Sequence, residues 1–189
     1  MIKIRNANRS DAMDLAHLVN MAGYGLAYHL WSEMAKSGQD PWDVGRQRAG
    51  REEGSFAWTN AQIAEMDGAV AAGIVSYDIG LEPEAIEPGT SEAIAALIEL
   101  ENQVLGSFYI NVLAVYPEFQ GKGLGRKLLR SVQDQAQGKA QSLIVDRSNT
   151  GALGLYQSEG FYIKDSRPVG PTPWNDKADD WLLMVKPQS

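Results

Sequence analysis

The sequence predicts a mixed α/β domain built on one central sheet. Three observations carry this reading. Strand-like apolar runs recur from the first residues to the last, and runs with helical spacing of apolar residues fall between them. No internal repeat or linker divides the 189 residues, a length suited to one compact domain, residues 1–189, with a sizeable core.

The elements follow in order. "MIKIRNA" alternates and reads as a first strand. Ser10 or Asp11 can cap a helix whose Leu15, Leu18, Val19 and Ala22 share one face. His17 lies off that stripe, at an exposed helix position. Residues 23–58 hold Tyr24, Tyr28, Trp31, Trp42, Phe56 and Trp58 with glycines between them, the pattern of short helices and loops. Asp67-Gly68 separates two strand-like runs and signals a hairpin. Residues 80–106 carry six glutamates and no Lys or Arg, and close with a helix near 91–104. "SFYINVLAVY" (107–116) is rich in β-formers and is ended by Pro117. Leu124, Leu128, Leu129 and Val132 then mark the buried face of a helix running to about 136, with Gly138 as its C-cap. "QSLIVD" is the next strand and 150–158 a short helix. "GFYIKDSRPV" and "DDWLLMVKP" are two final strands joined by the loop "GPTPWNDK".

Composition excludes several functions. The formal net charge is −7, which argues against general nucleic-acid binding. Cysteine is absent, so disulfides, thiolate metal sites and a cysteine nucleophile are excluded. The two histidines, His17 and His29, do not stand in a metal-spacing motif, and no metal is expected. No run of 18 apolar residues and no basic-then-apolar leader is present, which predicts a chain without a membrane segment, placed in the cytoplasm.

The dense glycines of "VYPEFQGKGLGRKLLR" (115–130) call for bare backbone. A Walker loop fails, because Gly123 stands where Ser or Thr must hold Mg²⁺ and Tyr116 replaces the first glycine. A dinucleotide loop has Gly121, Gly123 and, at the end of the next strand, Asp146, but Arg126 occupies the position of the third glycine. A third reading is a metal-free diphosphate site at a helix N-terminus. Lys122, Arg126, Lys127 and Arg130 place four cations within nine residues there.

"LAVYPEFQGKGLGRKLL" resembles the acetyl-CoA loop of the GNAT superfamily of N-acetyltransferases. Gln120, Gly123 and Gly125 meet the motif [QR]-x-x-G-x-[GA]. Downstream, "NTGALGLYQSEGF" is similar to the family's N-x-x-A-x-x-L-Y-x-x-x-G-F, with Asn149, Ala152, Tyr156, Gly160 and Phe161 in place. The motifs span roughly residues 107–161. The resemblance implies a single mixed, mostly antiparallel sheet flanked by helices, and acetyl-CoA as acyl donor without a metal. It implies that backbone groups of Leu113, Ala114 and Val115 hold the pantetheine arm. It gives the diphosphate to the amides of Gly121, Lys122, Gly123, Leu124, Gly125 and Arg126, counts Gln120 among the cofactor-binding residues, gives Asn149 a bond to the cofactor, and opens a gap between strands 107–116 and 141–146. It gives Tyr156 the role of general acid toward the leaving thiolate; a packed aromatic is the plainer reading of that residue.

The resemblance further implies that the acceptor is a primary amine of a small molecule or a peptide, which must lose a proton before attack. The positions where some family members carry a glutamate base fall on Tyr109 and Ile144, neither an obvious base. Asp146 lies nearby, at a strand end, where it could simply shape the loop. Glu65, Asp78 or a glutamate of residues 80–106 could act through water, or the amine could arrive partly deprotonated, so the base stays unassigned. The acidic stretch would attract a cationic amine, although a solvated face is its plainer reading. The aromatics of 23–58 could wall the acceptor, though core packing is the plainer reading for each, as is a polar tip on that cluster for His29. A non-catalytic acyl-CoA sensor and a nucleotide-dependent oxidoreductase are the alternatives, and a homodimer is one assembly left open.

Overall fold

The structure, a computed structural model, describes residues 1–177 and 179–188. Its seven strands form one sheet in the order β1-β2-β3-β4-β5-β7-β6. The strands are β1 (Ile2–Asn6), β2 (Ala61–Met66), β3 (Ala69–Asp78), β4 (Phe108–Val115), β5 (Gln141–Asp146), β6 (Tyr162–Arg167) and β7 (Trp181–Lys186). The helices are α1 (Ala12–Ala22), α2 (Leu26–Met34), α3 (Pro41–Ala49), α4 (Glu92–Glu101), α5 (Leu124–Ser131) and α6 (Thr150–Ser158). β1 with β2, β2 with β3, β5 with β7 and β6 with β7 pair antiparallel, whereas β4 and β5 are parallel. The predicted mixed, mostly antiparallel sheet is therefore the one observed. The chain forms two compact units, Met1–Ser76 with Asn111–Gln133 and Tyr77–Ile110 with Asp134–Ser189.

The first unit holds β1, β2, most of β3, the end of β4, and helices α1–α3 and α5. Its core contains Leu15 and Leu18 of α1, Ile63 of β2, Ile74 of β3, and Leu124, Leu128 and Leu129 of α5, all fully buried. Each such side chain contributes about 1.5–3 kcal/mol by leaving water. The start of α1 differs from expectation in part. Asp11 is the N-cap of α1 but makes no side-chain cap bond to it, and the 3-10 turn Arg9–Asp11 that leads into the helix is capped by Asn8. Its side chain accepts from the Ser10 amide at 2.9 Å, and its own amide donates to the Asp11 carboxylate at 2.8 Å. Asp11 is otherwise engaged by Arg5, whose guanidinium donates to both carboxylate oxygens at 2.7 and 2.8 Å.

His17 is a second difference. It is half-buried rather than exposed, with its ring 4.3 Å from that of Trp42 on α3. Trp42 also meets Tyr28 and Trp31, and Trp31 stacks on Phe56, so Tyr28, Trp31, Trp42 and Phe56 gather into one aromatic cluster. The helix at the glycine loop is shorter than predicted. It ends at Ser131, Val132 is its C-cap, and a 3-10 turn covers Gln133–Ala136.

In the second unit β7 lies between β5 and β6. Leu182, Leu183 and Met184 are fully buried there, so its apolar run does not alternate. β4 joins β5 through two register pairs, Phe108 with Gln141 and Tyr109 with Ser142. The buried hydroxyls of Ser107 and Ser142 lie 2.6 Å apart beside them. The acidic stretch divides in two. Residues 79–91 have no regular structure, whereas α4 buries Ala93, Ala96, Ile98 and Leu100 and packs on β6 and β7. Arg167 of β6 ties it down by an ion pair to Glu99 at 2.7 Å.

Candidate functional site

β4 delivers the chain to the glycine loop. Ala114 is buried, while Leu113 and Val115 on the alternate positions are half-buried. The Tyr116 amide donates to the Ala71 carbonyl at 2.9 Å, and its hydroxyl donates to Asp14 at 3.0 Å. Burial and the Asp14 charge push the Tyr116 phenol far above its ordinary pKa, so it stays protonated. A 3-10 turn, Pro117–Phe119, follows. Gln120 then folds back, its side-chain amide donating to the Val115 carbonyl at 3.2 Å.

Gly121 and Gly123 have φ of +73° and +76°, the left-handed region that a side chain strains. A Cβ on either would point into open space, so the glycines serve the backbone's path and not packing. Gly123 is the N-cap of α5, and no side chain caps the helix or places a carboxylate in its first turn. The amides that begin α5 therefore lack the usual carboxylate or hydroxyl partner at the positive helix end. Gln120, Gly121, Lys122, Gly123 and Arg126 are exposed, Gly125 is half-buried, and Leu124 is buried as the anchor of the helix. Lys122 bends over the Phe119 ring, 5.2 Å from its centroid, and its ammonium donates to the Glu118 carbonyl at 3.0 Å. Bare amides, a helix end and an adjacent ammonium form a cradle whose chemistry fits a diphosphate.

The second unit carries the other predicted residues. Asn149 is the N-cap of α6, its side chain accepting from the Ala152 amide at 3.1 Å. Asp146, just before it, is buried and accepts from the Ser148 amide at 2.8 Å, which shapes the turn between β5 and α6. Tyr156 is 7% exposed, and its ring meets Phe161 edge-on at 5.9 Å. Burial alone pushes its phenol well above the ordinary tyrosine range, so at neutral pH it can donate a proton but not accept one.

Of the carboxylates considered as bases, Glu65 is held by Arg5 at 2.6 Å and Asp78 by Lys139 at 2.6 Å. Glu101, at the end of α4, is different. It is half-buried and hydrogen-bonded to Tyr109, and burial raises its pKa. Among the described residues no helix is long and apolar enough to cross a membrane.

Residues 24–161 match the Acetyltransferase (GNAT) family. The chain is 37% identical over 73 residues to the N-alpha-acetyltransferase RimI of Mycobacterium tuberculosis, a match covering 39% of this chain and 46% of that protein. It is 30% identical over 103 residues to the [ribosomal protein bS18]-alanine N-acetyltransferase of Escherichia coli, covering 53% of this chain and 69% of that protein. The chain thus spans about half the length of the first of these relatives. Its fold is similar to that of yncA from Salmonella typhimurium, solved with its cofactor acetyl-CoA, with a TM-score of 0.58 and 20% identity over 100% of this chain and 95% of that one.

Proposed function

The chain belongs to the Acetyltransferase (GNAT) family, and on that premise we propose that it transfers an acetyl group from acetyl-CoA to a primary amine of a small molecule or a peptide. The observation that carries the reading is the left-handed Gly121–Gly123 loop opening an uncapped α5. Acetyl-CoA supplies the acetyl group as a thioester.

The chain's own residues do the rest. Amides of residues 121–126 donate to the diphosphate, with Lys122 offsetting its charge. Backbone groups of Leu113, Ala114 and Val115 bind the pantetheine arm as an added strand would, and an amide near Leu113 favours the negative charge that develops on the thioester oxygen. Asn149 keeps its carbonyl oxygen on the Ala152 amide, which leaves its NH₂ group to donate to the cofactor. Tyr156, protonated at neutral pH, gives a proton to the departing thiolate.

The named activities of the relatives, on an N-terminal amine and on a ribosomal-protein alanine, support a peptide amine as one acceptor class. Titration with acetyl-CoA, followed by a panel of amines and alanine-initiated peptides read by release of the free CoA thiol, tests the proposal. Binding with turnover of an amine is expected. No binding at millimolar acetyl-CoA would refute it. Binding without transfer to any amine would favour an acyl-CoA sensor, a reading motivated by the ion pairs that occupy Glu65 and Asp78.

A further inference from the structure

A cleft of about 480 Å³ opens in the first unit where the start of α1 meets the end of α3. Arg9, Ser10 and Ala12 line it from the α1 side, and Arg46, Gln47 and Gly50 from α3. The two helices approach there through small residues. A Cβ on Gly50, the C-cap of α3, would lie 3.7 Å from that of Ala12 and 3.2 Å from the Arg46 carbonyl.

The polar groups of this cleft are mostly unused donors. Arg9 is exposed, and among the described residues its guanidinium makes no hydrogen bond or ion pair. Arg46 gives Nε and Nη2 to Asp43 at 3.4 and 3.0 Å and keeps Nη1. The Gln47 side chain is likewise without a partner among the described residues. The Ser10 hydroxyl is committed, donating to the Asn8 side-chain oxygen at 2.5 Å. Among the described residues no carboxylate lines the cleft, although the chain as a whole carries a net charge of −7. An adjoining hollow shares Arg9 and Gly50 and adds Arg51, Glu52 and Glu53. Neither glutamate pairs with Arg9.

Guanidinium forks bind oxyanions through pairs of parallel N–H bonds. A planar carboxylate is filled by a single fork. A tetrahedral phosphate has further oxygens to accept from a second guanidinium and an amide. A water molecule takes up ~30 Å³ of the liquid, so the cleft holds a phosphate group with room for an organic body.

We propose that the cleft between Arg9 and the end of α3 is a phosphate-binding site, in which Arg9 and Arg46 grip the anion and Gln47 completes the donor set. The site shares no residue with the glycine loop and is independent of acetyl transfer. A phosphate ester and free phosphate present the same group to it, and the size of the cleft suits the ester.

The test follows the backbone amides of the full chain in nitrogen-15 correlation spectra at pH 7 and constant ionic strength. Inorganic phosphate, phenyl phosphate and citrate are the probes. The amides of Ser10, Gln47 and Gly50 report the cleft, and those of Gly121 and Gly123 report the cofactor loop, so the two responses separate in one experiment. Saturable shifts at the cleft amides are expected for both phosphates, with dissociation constants below about 5 mM. Tighter binding of phenyl phosphate identifies an ester as the occupant, and tighter binding of the free ion keeps the site without the organic body. Arg9→Gln and Arg46→Gln should each weaken phosphate at the cleft at least about tenfold and leave the Gly121 and Gly123 responses as in wild type. Neither change threatens the fold, since Arg9 loses no partner and the Arg46–Asp43 pair is an exposed one that contributes little. No saturation at the cleft amides by about 20 mM of either phosphate, tighter binding of citrate than of both, or equal affinity in wild type and the arginine variants overturns the assignment. None of these outcomes bears on acetyl transfer, which the acetyl-CoA titration tests separately.

Discussion

The Trp31 indole lies directly over Gly45, so that a Cβ at Gly45 would sit 2.5 Å from Cζ3 of the ring. Trp31 cannot retreat, being 3% exposed, stacked on Phe56 and edge-on to Trp42. Replacing a helical glycine with alanine ordinarily gains up to about 1 kcal/mol. Here overpacking costs about 1–3 kcal/mol and outweighs that gain. Gly45→Ala should therefore unfold a few degrees below wild type in a thermal melt. An unchanged or higher melting temperature would show that the aromatic cluster can yield.

Arg5 and Asp11 give the first unit a pH-dependent contribution to stability. The guanidinium holds the Asp11 carboxyl below its usual pKa, with burial opposing and the Asn8 amide assisting. A depressed folded pKa stabilises the fold above the unfolded value near ~3.9, and the gain is lost as pH falls through the folded value. Asp11→Asn should cost about 2–3 kcal/mol in urea unfolding at pH 7. The gap to wild type should narrow at pH 3. A gap of the same size at both pH values would contradict the pairing.

Much of this fold is legible along the chain because the informative contacts are local. α5 is marked by Leu124, Leu128 and Leu129 on one side and by Gly123 at its start, all within the helix or its cap. The hairpin at Asp67-Gly68 is likewise local. The misread residues all take their partners from elsewhere. His17 has the spacing of an exposed position on α1, but Trp42 arrives from α3 to cover it. Asp11 stands at the N-cap of α1, yet its carboxylate goes to Arg5 and makes no cap bond to the helix. The cofactor loop could be found because its backbone chemistry demands glycine at fixed spacing.

Tyr156 is expected to act on chemistry and not on binding. Its buried phenol remains protonated well above neutrality, which makes it a donor across the physiological range. Tyr156→Phe should lower kcat by about 10²-fold or more while the acetyl-CoA dissociation constant stays within about twofold. Full turnover in the variant would remove Tyr156 from the mechanism and leave it as a packing partner of Phe161.

The central claim is that the glycine loop is a metal-free diphosphate cradle, and calorimetric titration of acetyl-CoA into wild type and Gly123→Val tests it most directly. A side chain at Gly123 strains a backbone held at φ +76° and disturbs the first amides of α5. The account predicts saturable binding to wild type in the presence of EDTA, weakened at least about tenfold in the variant at unchanged fold, with no competition from NAD(H). Absence of binding to wild type at millimolar acetyl-CoA, or equal affinity in the two proteins, would contradict it.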